Sequence, residues 1–479
     1  MRFSIFSLIM AGAALIVSAQ NKKDQADSLN TAGNIPAQTV RIDYSDIRQK
    51  LTGWGVSISW WAHDVGDKFP EKDLRTFVQW LTSPEELNMN VFRYNISGGD
   101  NPKHAHMRKD AQIPGYKTAA DSAYNWSADG AQRRLLLLIN EMRPDALYEA
   151  ANYSPPYWMT KSGCSAGTPD GSDNLKDDCY DSFARYLADC VEYYKKYYGI
   201  TFKSISPVNE PFSNWWKENG SQEGCAFGLQ NQERIIKELY KVLKEKDMLG
   251  YTSIAVMDAN SLDECVTGLE YYKTHGLLKY IGQINTHSYF GSKRKEISGF
   301  AKQNKIRLWQ SESGPLNVNK AGLDNFLFMC RRIVTDMNEL QPEVWCDWQY
   351  MGAGLGGVWS LVGYNVKEQI YERTKGFYCR KQFTRFIEPG YRFIGTTDEN
   401  ILAALSPDKK RMVVVIVNQD DDSKCISLDT GKKKIKHVQM YRTSEKENCE
   451  KVDVSFNMPV NNNLILEPKS VSTVVFDMK

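Results

Sequence analysis

Two glutamates stand where short β-rich runs stop. Ile205-Ser206-Pro207-Val208-Asn209-Glu210-Pro211 reaches an acid and then a proline, and Leu308-Trp309-Gln310-Ser311-Glu312-Ser313-Gly314 reaches an acid shortly before a glycine. Proline and glycine punctuate local structure, so Glu210 and Glu312 each belong at the C-terminal tip of a strand. Barrel enzymes keep their chemistry at that end. Two carboxyls on one rim can divide the hydrolysis of a glycosidic bond, one protonating the leaving oxygen and the other attacking the anomeric carbon. The plain alternative is a pair of solvated strand ends, the default for glutamate. What flanks the other strands decides between the two.

A strand-and-helix rhythm surrounds these tips. Candidate strands cover 53–59, 91–97, 146–152, 202–209, 253–258, 283–287, 307–311 and 344–350. Between them, apolar residues recur at helical spacing, as in Leu74, Phe77, Val78 and Leu81, in Leu135, Leu138, Ile139 and Met142, and in Phe183, Leu187, Cys190, Val191 and Tyr194. Ile235, Ile236, Leu239 and Leu243 continue the series, followed by weaker patterns over 262–275 and 293–304, a strong one from Phe326 to Met337, and a last one over 376–386. This alternation predicts a closed (β/α)8 TIM barrel over 53–388 rather than an open sheet. After Pro389 the runs 402–405, 412–418, 436–441 and 471–476 are β-rich and carry no helical period. Together with the alternating stretch before Gly53, they predict a small antiparallel β domain built from 37–52 and 389–479.

Composition narrows the class of partner. A net charge of +2, from 60 basic and 58 acidic residues in 479, provides no basic field for nucleic acid. Aromatic residues make up 12% of the chain, with 12 Trp and 25 Tyr, which suits stacking on sugar faces and suits ordinary packing equally. Arg2 and the apolar run 3–17, closed by Val17-Ser18-Ala19, predict a signal peptide over 1–19 and a polar leader over 20–36, hence secretion or a periplasmic location. The run is too short to span a membrane. Of the ten cysteines, Cys190, Cys265, Cys330 and Cys346 fall in apolar periodic segments and read as buried thiols. Cys164 with Cys179, and Cys425 with Cys449, are the expected disulfides. His104 and His106 sit in a polar loop and are expected to face solvent, and CxxC or paired-His spacing is absent, so neither metal nor cofactor is expected. A monomer is the default.

Two familiar motifs carry little weight. Gly163-Cys164-Ser165-Ala166-Gly167 fits G-x-S-x-G, yet no strand leads into it and no helix follows. Gly352, Gly354 and Gly357 fit G-x-G-x-x-G after a strand, but the following residues do not begin a helix. The strand tips are more coherent. They offer Trp60 and Trp61 after the first strand, Arg93 and Asp100 at the second, Trp158 after the third, Asn209 beside Glu210, His287 and Tyr289 at the sixth and Trp348 at the eighth. His287 and Tyr289, two apart on a strand, point to one side. Singly, Arg93 could neutralise a buried acid, Trp348 could fill the barrel and His287 could be a satisfied core histidine. Gathered on one rim with two carboxyls, they make a sugar-binding inventory.

Several of these segments resemble the motifs of the family-30 glycoside hydrolases: Gly53-Trp54-Gly55, Phe92-Arg93-Tyr94-Asn95, Ser154-Pro155-Pro156-Tyr157-Trp158-Met159, Val208-Asn209-Glu210-Pro211, Thr286-His287-Ser288-Tyr289 and Gln310-Ser311-Glu312-Ser313-Gly314. The resemblance covers nearly all of the chain beyond the predicted signal peptide, and it implies that the terminal β domain is a sandwich fused to the barrel. It further implies a retaining double displacement with Glu210 as acid/base and Glu312 as nucleophile. Asn209 would then hydrogen-bond the sugar 2-hydroxyl in the −1 subsite, while Arg93 and Tyr289 orient Glu312 and keep it ionised. Trp158 and Trp348 would wall the subsite, Asp100 would bind a sugar hydroxyl, and His287 and Trp60 would complete the lining. Asp258 is a carboxylate in reserve. The stretch from Gly53 to Ala62 is similar to the opening of the family's endo-β-1,6-galactanases, so β-1,6-galactan side chains of arabinogalactan are the implied substrate. Other specificities in the family, a β-1,6-glucanase or an exo-acting β-glucosidase or β-fucosidase, stand as the rivals. A silent carbohydrate-binding protein has no need of both carboxyls.

Overall fold

The structure, a computed structural model, describes residues 36–316, 322–431, 433–454 and 463–479. Apart from Pro36, the segment expected as signal peptide and leader lies outside them. In chain order the first strands are β1 (Ala37–Lys50), β2 (Gly53–Ile58), β3 (Val91–Asn95), β4 (Leu147–Ala151), β5 (Phe202–Ser206), β6 (Ser253–Ser261), β7 (Gln283–Phe290), β8 (Arg307–Glu312) and β9 (Val344–Asp347). β2 to β9 pair in sequence order and close when β9 returns to β2, with Gly53 opposite Val344. This is the predicted parallel barrel, whose strands carry few exposed residues because helices cover the outside and side chains fill the inside.

The helices bury the faces that their spacing marked. Leu74, Phe77, Val78 and Leu81 are buried on the helix Glu71–Thr82, and Ile235, Ile236, Leu239 and Leu243 on the helix Leu229–Glu245. The helix Tyr180–Tyr198 stops at Gly199, whose φ of 69° is the left-handed cap that glycine adopts without strain. After β9 comes an insertion that the periodicity did not reveal: β10 (Met351–Ala353), β11 (Val362–Asn365) and β12 (Ile370–Arg373) form a small sheet of their own. Glycines of the G-x-G-x-x-G pattern lie in its tight connection. A Cβ on Gly357 would fall 2.4 Å from Ser360 Oγ, so a close turn, not a phosphate cradle, accounts for glycine there.

The remaining strands are β13 (Arg392–Thr396), β14 (Ile401–Leu405), β15 (Arg411–Asn418), β16 (Lys424–Asp429), β17 (Ile435–Thr443), β18 (Asn448–Val452), β19 (Asn463–Leu466) and β20 (Ser470–Met478). Their order is β18-β17-β20-β15-β14-β13-β1-β16-β19. β1 runs antiparallel to β13 through Ile42–Lys50 and parallel to β16 through Ala37–Arg41, so one strand serves two sheets and the domain departs from pure antiparallel pairing at that point. β14, and β15 between its terminal Arg411 and Asn418, are apolar because both faces are covered. Leu402, Ala404, Val413 and Val415 join the core beneath the barrel helices, while Ile401, Ala403, Leu405, Met412, Val414 and Ile416 face the interior of the sandwich.

All ten cysteines are free. Cys425 on β16 and Cys449 on β18 lie toward opposite ends of the strand order, and Cys164 faces His106 rather than Cys179, so neither expected bridge exists. Among the described residues, no helix is long and apolar enough to cross a membrane.

Candidate active site

Glu312 closes β8, and Glu210 lies four residues beyond the end of β5. The chain between them and their supports is bent into conformations that L-residues seldom take: φ is 47° at Glu210, 77° at Met257, 46° at Asp258 and 40° at Trp60. Each such residue costs on the order of 1–3 kcal/mol and persists where its surroundings fix it. For Glu210 the fixing contacts are visible. Its N–H donates to Asp258 O at 2.9 Å, and its carbonyl accepts from Trp216 Nε1 at 3.0 Å. Trp216 in turn packs over Gly224, where a Cβ would lie 2.0 Å from the indole ring. Carboxylate oxygens of Glu210 and Glu312 and a ring nitrogen of His287 all lie within 4.8 Å of one another.

Beneath the pair is a fully buried ionic core. Arg93 spreads its guanidinium over three acids, Nε to Glu149 at 2.9 Å, Nη2 to Asp258 at 2.6 Å and Nη1 to Glu312 at 3.2 Å. Tyr289 donates to the other Glu312 oxygen at 3.2 Å. His287 bridges, with Nδ1 at 3.3 Å from Glu210 and 3.7 Å from Glu312, and Nε2 at 3.2 Å from Asp258. Asn260 donates to Glu210 from the far side. Ser206 and Ser311 donate to Asp258 at 2.6 and 2.5 Å, while Ser204, Gln283 and Asn285 donate to Glu149. These donors make the burial of four acids tolerable.

The field of this cluster sets a pH dependence. Burial pushes the Glu312 carboxyl from 4.5 up to about 7, against the pull of His287 and with the push of Glu210. Burial works against charge on His287, yet Glu312, Asp258 and Glu210 more than offset it and raise the imidazole from 6.5 to about 10. Asp258 goes the other way: burial is overcome by Arg93 and His287, and its carboxyl falls well below 3.8. A raised folded value means stability that is lost as pH rises, and a depressed one means stability lost on acidification. Stability should therefore decline from about pH 4.5 to 7 through Glu312 and from about 6.5 to 10 through His287, with a separate loss below pH 3.8 through Asp258. Thermal unfolding followed from about pH 2 to about pH 10 checks this, and His287→Gln should flatten the alkaline limb.

Above the acids opens a cleft of about 1130 Å³ lined by Trp60, Tyr153, Asn209, Glu210, Trp215, Trp216, Asn260, Tyr289, Glu312, Trp348 and Trp359, among others. Trp348 is central, with Trp60 edge-on at 4.6 Å and Tyr153 edge-on at 5.6 Å between ring centres. Asn209 Oδ1 and Asn260 Oδ1 are buried without a hydrogen-bond partner among the described residues. Such orphaned acceptors at a cleft floor suit ligand hydroxyls.

Of the expected residues, Asn209, Glu210, Glu312, Tyr289, Trp60 and Trp348 line the cleft, while Arg93 and His287 lie fully buried under it. Three lie elsewhere. Trp158 is turned away, its indole N–H donating to Lys117 O at 3.1 Å, and Tyr153 takes the wall position instead. Asp100 is occupied by Ser165, His104 and His106, which also corrects the expectation that the two histidines face solvent. Asp258 is sealed in the ionic core and has no exposure to the cleft. The sequence reading missed Tyr153, Asn260 and Trp359. Asn260 was within reach of it, being two residues past Asp258 on the same strand.

An eight-stranded barrel with a carboxyl pair at the C-terminal rim of an aromatic cleft defines a barrel glycoside hydrolase. The chain belongs to O-glycosyl hydrolase family 30, whose sequence model matches residues 37–287. An endo-β-1,6-galactanase of Hypocrea rufa is 28% identical over 410 residues, covering 79% of this chain and 81% of that protein. An exo-β-1,6-galactobiohydrolase of Bifidobacterium longum subsp. longum is 24% identical over 79% of this chain, which spans only 34% of that longer protein. Among solved structures, a conserved exported protein from Bacteroides fragilis shares the fold at a TM-score of 0.79 and 20% identity, with 91% of this chain and 100% of that one covered.

Proposed function

We propose that the protein is an exported, retaining endo-β-1,6-galactanase. The observation that carries the mechanism is the separation of the two carboxyls, with oxygens inside 4.8 Å. Retaining enzymes hold their carboxyls about 5–5.5 Å apart, whereas inverting enzymes need about 6.5–9.5 Å to admit a water. Two adjacent carboxyls resist joint ionisation, so one of them is suited to carry the proton that the leaving group needs. Arg93 and Tyr289 both donate to Glu312, which favours its charged form and assigns it the nucleophile's role. Glu210, held by Asn260 and His287, delivers the proton to the leaving oxygen and then activates water against the glycosyl-enzyme. Asn209 and Asn260 offer acceptors to sugar hydroxyls, and Trp60, Tyr153 and Trp348 offer the stacking surface.

The substrate assignment rests on the Hypocrea rufa relative, and the apolar amino-terminal run supports export. Product analysis on de-arabinosylated β-1,6-galactan, with β-1,6-glucan in parallel, tests both substrate and mode. A ladder of short galacto-oligosaccharides with the β-anomer formed first is the expected result. An α-anomer first would overturn retention, glucan cleavage alone would overturn the substrate, and galactobiose as sole product would favour an exo mode like that of the Bifidobacterium longum relative.

A further inference from the structure

Behind one wall of the cleft, three side chains of the 100–106 segment and one from the 162–167 loop point at one spot. Asp100, His104, His106 and Cys164 each bring one donor atom, and the four atoms all lie within 4.8 Å of one another. His106 Nε2 is 3.2 Å from Asp100 Oδ2 and 3.4 Å from Cys164 Sγ, and His104 Nδ1 is 3.1 Å from the same Asp100 oxygen. In a tetrahedral zinc site with bonds of about 2.0–2.3 Å, neighbouring donors stand about 3.3–3.7 Å apart. From these contacts we infer that Asp100, His104, His106 and Cys164 form a structural site for a zinc-class divalent metal ion.

The surroundings orient these atoms as metal ligands are oriented. His106 donates from Nδ1 to the backbone carbonyl of Gly220 at 2.6 Å, which fixes the tautomer and turns the Nε2 lone pair inward. Asp100 uses Oδ1 for Ser165, whose N–H and Oγ donate at 2.9 and 3.1 Å, and so keeps Oδ2 for the shared point. Ala166 N–H donates to Cys164 Sγ at 3.4 Å, while burial holds the thiol above its ordinary value, so a bound cation would supply the deprotonation. With Nδ1–H committed to Gly220, His106 Nε2 and Asp100 Oδ2 meet lone pair to lone pair at 3.2 Å, an approach that a cation between them would relieve. One thiolate, two imidazoles and one carboxylate form a borderline-soft set that suits zinc and not calcium or magnesium.

The placement gives the ion a purpose. The ligands join the segment after β3 to the 162–167 loop, and the Gly220 contact adds the 215–224 segment. Arg108, Ala166, Trp215, Trp216 and Gly220 from these same segments line the cleft. An ion here clamps the wall on which extended substrate lies, leaving the carboxyl pair untouched.

The test is metal content and spectroscopy of the full chain, purified without metal-affinity steps. Wild type should carry about one zinc per chain, and Cys164→Ser and His106→Ala should each lower that by roughly tenfold or more. Cobalt added to chelator-treated wild type should give an intense near-ultraviolet thiolate-to-cobalt band that zinc abolishes. Chelation should lower the unfolding temperature of wild type and raise KM for long galactan more than for a short aryl substrate. Wild type that holds less than a tenth of an equivalent and gives no thiolate band with cobalt overturns the site, even if the variants fail to fold. Equal zinc in wild type and both variants overturns it too.

Discussion

On the proposed galactan substrate, Glu312→Gln lowers turnover by roughly 10⁴-fold or more, the loss typical of removing one member of a catalytic unit. The side chain keeps its shape and its contact with Tyr289, so the variant folds. It should also melt no lower than the parent, because a carboxyl that burial pushes up to about 7 is a cost to the folded state at neutral pH. The counterpart is Glu210→Ala assayed on an aryl β-galactoside with a good leaving group. There the glycosyl-enzyme forms without an acid but stalls for want of a base, and azide, which needs no base, restores turnover and yields the β-galactosyl azide. In Glu312→Ala, azide instead attacks from the vacated side and yields the α-azide. The two products, separated by NMR, assign the roles independently. A β-azide from both variants would sink the assignment.

The second large effect is on stability. Arg93→Met removes the one guanidinium shared by Glu149, Asp258 and Glu312, all of them buried. Breaking a buried pair from one side costs about 3–5 kcal/mol because the acid left behind is uncompensated, and here three acids are left. Urea unfolding should show the midpoint falling by that amount, and Arg93→Lys should recover part of it, since an ammonium restores charge but cannot fork to three partners. Activity of the folded fraction falls as well, since Glu312 loses the donor that favours its ionised form. A melt within about 1 kcal/mol of the parent, the ordinary scale of a surface change, would mean that Ser204, Ser206, Ser311, Gln283 and Asn285 alone carry the cluster.

Much of this could be read from residue order. The barrel strands were legible because strands sealed on both faces are short, apolar and bounded by helices of clear period. Glu210 and Glu312 were legible because Pro211 and Gly314 mark where each run ends. What failed were decisions made by loops. Whether Tyr153 or Trp158 enters the cleft depends on how the Pro155-Pro156 turn swings, and the helical and strand periods say nothing about that. His106 and Cys164 are 58 residues apart, and only the folded rim brings them to 3.4 Å. Asp100 looked like a sugar ligand because its type and position fit, while its partners come from loops whose paths were unknown. The β10–β12 insertion escaped because its strands are only three or four residues long, with no sustained alternation to mark them.

The strand β1 carries an implication for engineering. It stitches both sheets of the sandwich together and then passes, after only Leu51 and Thr52, into the first barrel strand. Leu51 is bonded on both sides to the chain as it leaves the last barrel helix, through Tyr391 O at 2.8 Å and Gly390 N at 2.8 Å. Thr473 on β20 reaches Gln382 on the last barrel helix at 2.6 Å, and one apolar cluster runs from barrel to sheet. Unlike appended carbohydrate-binding modules, which join through tethers and can be gained, lost or traded between enzymes, this sandwich offers no seam at which to cut. Removing the sandwich would uncover apolar surface that the barrel helices share with it, so an engineer who wants the cleft must carry the whole pair.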